Sequence, residues 1–228
     1  MTTLLWKDYR LNRGLLLLGI VLLLGPYAAE CVLVLYGRWP SWPAAADWSA
    51  RLLDASFFSL VLSQLTLAVL AGNSIAAERA ERSAEFLACL PPSRLQILAS
   101  KLLLVLLAAG AIWVVHLSIT DWVVPTMGTP VASSWEQWGP RSTFVAGTVM
   151  LFGASWLGSA VLNSPASATI LGIAVALVGG PLLAQVVWAL FTSGAREALP
   201  FCGMIVGLSV GLLCFLSGSA CFLCRAEP

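Results

Sequence analysis

Few residues of this chain carry chemistry beyond packing. His116 is its single imidazole, and an activated serine needs such a base within hydrogen-bond reach. Ser155, in Gly153-Ala154-Ser155-Trp156, is the serine best set for intramembrane hydrolysis. The last apolar run adds no second histidine, and small residues inside an apolar run serve close helix packing. Packing is therefore the favoured reading of Ser155. Cys221 and Cys224 have the spacing of redox and zinc sites, but zinc needs two further ligands and none stands nearby. A free cysteine behaves as a small hydrophobe, so packing is favoured there too, with acylation of Cys224 as the alternative. Glu30, His116 and Asp121 fall near the ends of apolar runs, where an interface role competes with a proton relay. Gln64, Thr66, Asn163 and Gln185 could hydrogen-bond between helices or line a cavity. Gly179-Gly180-Pro181 interrupts one run, as a kink or as a broken helix beside a substrate path.

The densest charge lies in residues 76–101, which hold Glu78, Arg79, Glu81, Arg82, Glu85, Arg94 and Lys101. On a helix Glu78, Glu81 and Glu85 share one face, and Glu78 with Arg82 forms an i,i+4 pair in the favoured order. Phe86, Leu87 and Leu90 fall on another face with Ser83. Pro91-Pro92 stops such a helix, since proline lacks the amide and restricts the residue before it. Ser93 can then cap the next helix. The spacing predicts a short amphipathic helix, a rigid stop and a fresh apolar helix. The bland reading is a solvated loop carrying orientation charges. Orientation, however, depends on Lys and Arg and hardly on Asp or Glu, so three glutamates on one face point to a docking surface.

The elements that position these residues are apolar. The chain has 228 residues, 59% of them hydrophobic and 10% charged, with a mean hydropathy of +0.90. A soluble domain carries about 25% charged residues. The formal net charge of +1 gives no field for nucleic acid. A membrane span needs about 20 mostly apolar residues, and six runs qualify: 14–36, 52–75, 97–120, 142–162, 168–191 and 199–223. They are apolar all round, as lipid-facing helices are, and lack the alternation of a β-barrel. The first run is too long for a typical signal peptide. Residues 1–228 read as a single transmembrane domain, with the loop at 163–167 making a tight hairpin. The positive-inside rule sets the orientation. With both ends inside, Lys7, Arg10, Arg13, Arg79, Arg82, Arg94, Lys101 and Arg225 are cytoplasmic. Arg38, Arg51, Arg141 and Arg196 are outside, completing the twelve basic residues. Trp39, Trp42, Trp48, Trp122, Trp135 and Trp138 then fall in outer loops, at the interface that suits them. Residues 2–13 read as an interfacial helix on the inner leaflet, with a plain basic flank as the alternative.

The segment after the second run resembles the permease subunits of ABC-2-type transporters. Their pattern there is Glu-Arg-x-x-Gly-Thr-x-Glu, a Leu-rich stretch, Pro, a small residue, Arg, and a Lys opening the third span. Glu78-Arg79, Glu85, Leu87, Leu90-Pro91, Ser93-Arg94 and Lys101 match it, whereas Arg82-Ser83 stands where Gly-Thr is usual. The resemblance implies an all-α integral membrane fold of six transmembrane helices. It adds an N-terminal interfacial helix and a cytoplasmic coupling helix between spans two and three. It also implies a cytoplasmic-membrane permease paired with a second copy or a paralogue and working in export, while the apolar spans, which carry no dedicated charged pocket, favour a hydrophobic or amphipathic substrate. Glu78, Arg79, Glu81, Arg82, Glu85, Pro91 and Arg94 would then contact a separate ATP-binding subunit, which holds ATP and Mg. No G-x-x-x-x-G-K-[ST] phosphate loop occurs in this chain, so no cofactor or ATPase chemistry is expected of the chain itself. The alternative is a membrane scaffold or accessory subunit without its own transport path.

Overall fold

The computed structural model describes residues 2–36, 45–80, 93–126, 134–179 and 199–224, and these are helical with no strand among them. We number the helices α1 (Thr2–Leu35), α2 (Ala45–Ala80), α3 (Arg94–Thr126), α4 (Ser134–Val161), α5 (Pro165–Gly179) and α6 (Leu199–Cys224). Five of them, all but α5, are long and apolar enough to cross a membrane. The sixth expected span, 168–191, overlaps α5, which is shorter and ends where residues 180–198 leave the described part of the chain.

The expected break between an interfacial helix and a first span is absent, because α1 runs without interruption through Arg13 and Gly14. Its 34 residues extend about 51 Å at 1.5 Å per residue, against a hydrocarbon core of about 30 Å. The basic N-terminal stretch is therefore the first part of one long helix. A lone glycine costs only about 1 kcal/mol in a helix interior, too little to stop a leucine-rich run.

By contact the chain divides into two compact units, with α2 and α3 contributing to both. One holds residues 2–67 and 102–131. There α1 passes through Pro26, which leaves the carbonyl of Leu22 without its usual amide donor. One residue along, Ser59 donates its hydroxyl to the Leu23 carbonyl, the kind of side-chain support that makes proline tolerable in a span. Glu30 and Arg51 join the same two helices by an ion pair of 3.0 Å. A Cβ on Gly19 would come within 2.7 Å of Thr66 Cγ2, so the missing side chain lets α1 and α2 touch. The α3 helix widens to a π turn at Ile119–Val123, where Val124 N–H bonds back to the Ile119 carbonyl. Pro125 follows at once and cannot donate to Asp121, so the ladder is interrupted there in any case.

The other unit holds residues 68–101 and 132–228. Its centre is the α4–α6 crossing, built on glycines. A Cβ on Gly153 would run into the Gly211 carbonyl, and one on Gly211 would lie 2.5 Å from the Val149 carbonyl. Gly207 meets Ala146, and Gly218 meets Leu157 and Trp156. Such small-residue seams let helix backbones approach in a membrane, where lipid is as apolar as leucine and packing must supply the attraction. Trp156 is fully buried. It packs against the rings of Phe152 and Phe215 and donates Nε1–H to Ser219 Oγ at 3.2 Å. The expected hairpin is present: α4 ends at Val161 and α5 begins at Pro165, with Ser164 capping the Ser167 amide. Here α5 lies on α4 through Gly158 and Ala168, and on α2 through Gly72 and Thr169.

Candidate functional site

The described ends of α2 and α3 flank the charged segment, and both are fixed by polar contacts. At the head of α3, Ser93 Oγ accepts from Gln96 N–H at 3.3 Å, while Gln96 Oε1 accepts from Ser93 N–H at 3.1 Å. This reciprocal box satisfies two amides that a helix start leaves orphaned. It realises the expected Ser93 cap and adds Gln96, whose position three residues on is the sequence signal for it.

Two turns further, Lys101 Nζ lies 2.9 Å from Glu78 Oε1, and the two side chains are only 4% and 8% exposed. The same ammonium donates to the Ser74 carbonyl at 2.6 Å. Glu78 thus differs from its expected place on a water-facing acidic face, because it points into the packed end of α2 and neutralises a lysine there. The neighbouring Arg79 donates from Nη2 to the Ala160 carbonyl at 2.6 Å. That carbonyl belongs to the last turn of α4, where acceptors have no intrahelical donor, and a basic side chain is favoured by the helix dipole. Ser159, fully buried beside it, accepts from the backbone N–H groups of Ile75 and Ala76, each at 2.9 Å.

The last turn of α2 is therefore held on two sides, to α3 through Glu78–Lys101 and to α4 through Arg79–Ala160 and Ser159. A buried ion pair resists separation, since removing one partner strands the other charge at a cost of about 3–5 kcal/mol. Among the described residues the arrangement consists of an ion pair and hydrogen bonds to backbone groups, which tie the end of α2 to α3 and α4. Of the other residues expected to meet a partner, Arg94 is exposed, whereas Glu81, Arg82, Glu85 and Pro91 lie outside the described residues. Sequence reasoning missed Ser159 and the Ala160 carbonyl. Lys101 carried a signal: an ionisable residue inside an apolar run needs a partner, and Glu78 precedes it on the adjoining helix.

The other candidates are placed separately. Ser155 Oγ is buried without a hydrogen-bond partner and abuts Gly172, whose missing Cβ leaves it room. It sits at the α4–α5 packing seam. His116 Nδ1 is 2.7 Å from Ser56 Oγ, beside the edge-on ring of Trp113. Asp121 is exposed, next to the π turn. Cys221 and Cys224 are free and exposed at the end of α6. Among the described residues no cluster of three potential metal ligands occurs. Comparison of the chain with protein families, curated proteins and solved structures finds no match.

Proposed function

We propose that this chain is the membrane-spanning subunit of an ABC-2-like transporter, driven by a separate ATP-binding subunit docked on the segment between α2 and α3. The observation that carries the proposal is the double anchoring of the end of α2, by Glu78 on Lys101 and by Arg79 on Ala160. A force-transmitting element must be stiffly joined to the helices it moves. A loop that merely connects two spans needs no buried ion pair at its root. The Glu-Arg pair and the Lys that opens the third span are the residues on which the family resemblance rests, and they have this structural use in common. Glu78 and Arg79 then belong to the anchor, while Glu81, Arg82, Glu85 and Arg94 supply the docking surface, with Pro91 as the stop. The glycine seam between α4 and α6 makes a firm half, and a second copy or paralogue would complete the path. The apolar spans favour a hydrophobic or amphipathic cargo, moved outward across the cytoplasmic membrane.

The test is co-purification of the tagged chain from its native membrane, followed by measurement of Mg-dependent ATP hydrolysis. A stoichiometric ATP-binding-cassette subunit with hydrolysis that depends on it is the expected result. A stable chain that brings down no such subunit would favour the scaffold reading.

A further inference from the structure

The unit formed by residues 2–67 and 102–131 holds a cavity of about 340 Å³ between α1 and α3, with Thr66 of α2 on its floor. That volume is at the lower end of ligand pockets. Its floor is buried, at Gly19, Leu23, Thr66 and Ile112, while Leu17, Ile20 and Leu107 are exposed at its lips. Gly19 gives the cavity part of its depth, since any side chain there would displace Thr66. Along α1 the lining runs from Tyr9 to Leu23. At 1.5 Å per residue that is about 21 Å, of which the part from Arg13 inward is about 15 Å, the depth of one leaflet in a core of about 30 Å. The part inward of Arg13 is thus as long as one leaflet's acyl layer, and the exposed Leu17, Ile20 and Leu107 leave it open along its side.

Besides the exposed Tyr9, two polar features break its apolar lining. Thr66 is 4% exposed, yet its Oγ1 has no hydrogen-bond partner. Threonine in a helix ordinarily returns its hydroxyl to a carbonyl one turn back, as Thr148 and Thr169 do here. At the Arg13 end, Lys7, Arg10 and Arg13 stand against a single acid, Asp8. The exposed Arg13 side chain can extend from the groove toward the headgroup layer. A donor at the level of Gly19 and a cation about 9 Å above it along the helix match two acceptors of one molecule. These are the ester carbonyl and the phosphate of a glycerophospholipid. Acyl chains gain little by leaving neighbouring lipid for an apolar groove, so retention must come from the polar contacts. The local basic excess selects a negative headgroup.

We propose that this groove holds one resident anionic phospholipid, its acyl chain between α1 and α3, its ester carbonyl on the Thr66 hydroxyl and its phosphate on Arg13. The inference rests on the chain's lying in a bilayer and is independent of any ATP-binding partner, so failure of either leaves the other standing.

The experiment uses the full chain in phosphatidylcholine nanodiscs doped with phosphatidylglycerol that carries a diazirine on one acyl chain. After illumination, adducts are mapped by mass spectrometry. They are expected to concentrate on residues 16–23 and 104–112, and Ala108→Phe, which fills the groove, is expected to remove them. Arg13→Gln, an exposed change that leaves packing intact, should lower the preference for phosphatidylglycerol over the matching phosphatidylcholine probe by about fivefold, the effect of one basic residue near the surface. Thr66→Val should reduce labelling without lowering thermal stability, because it deletes an unsatisfied hydroxyl. Adducts spread evenly over exposed leucines such as Leu213 and Leu216, no preference between the two probes, or equal labelling by a diazirine fatty acid would each overturn the proposal.

Discussion

Lys101 of α3 and Glu78 of α2 form a buried ion pair of 2.9 Å, and the lysine also holds the Ser74 carbonyl. The pair fastens the two helices at the ends nearest the charged segment. Charge at this place is therefore a structural join before it is a surface.

Breaking that join from one side should cost more than removing it whole. Glu78→Leu or Lys101→Leu alone is expected to lower the unfolding free energy in detergent by about 3–5 kcal/mol, because each strands a buried charge. The double substitution to leucine should recover most of the loss. Thermal melts followed by tryptophan fluorescence provide the comparison. Additive losses in the double variant would show that the two side chains do not act as a pair.

A second ion pair gives the contrast. Glu30 and Arg51 are 25% and 22% exposed, so solvent screens their attraction. Arg51→Ala is expected to change stability by less than about 1 kcal/mol in the same melts. A loss comparable with that of Lys101→Leu would mean the two pairs do not differ in kind.

The α4–α6 seam should be intolerant of a single methyl group. Gly153→Ala and Gly211→Ala each drive a Cβ into opposing backbone, which cannot rotate away as a side chain can, and each should destabilise by at least about 1–3 kcal/mol. Gly147→Ala and Gly203→Ala have nothing within 4 Å of the new atom and should be neutral. Equal effects at all four positions would indicate helix propensity instead of packing.

The helices long and apolar enough to cross a membrane were legible from composition, since long apolar runs leave few alternatives. The helix start at Ser93 was legible too, because caps and prolines act locally, whereas α5 begins at Pro165, inside the stretch 163–167 expected to be loop. The two errors have physical causes. The separate interfacial helix was inferred from a change in polarity at residues 13–14, but polarity does not end a helix when only one glycine stands at the border. The direction of Glu78 was hidden because periodicity says which residues share a face, but not which neighbouring helix that face meets. The partners of Arg79 and of the Ile75 and Ala76 amides lie on α4, more than 80 residues away in sequence, and no local pattern announces them. The serines of α2, among them Ser56, Ser59 and Ser63, are buried. Their helical spacing was a readable sign of a packing face.

The most direct measurement of the central claim is Mg-dependent ATP hydrolysis by the purified complex, comparing the natural chain with Glu81→Lys/Glu85→Lys. Both changes leave Glu78–Lys101 in place. The charge-reversed chain is expected to remain folded, with an unchanged melting point, while losing the ATP-binding subunit and the hydrolysis that accompanies it. A complex that keeps its stoichiometry and its ATPase rate after reversal of both charges would contradict a docking role for this segment.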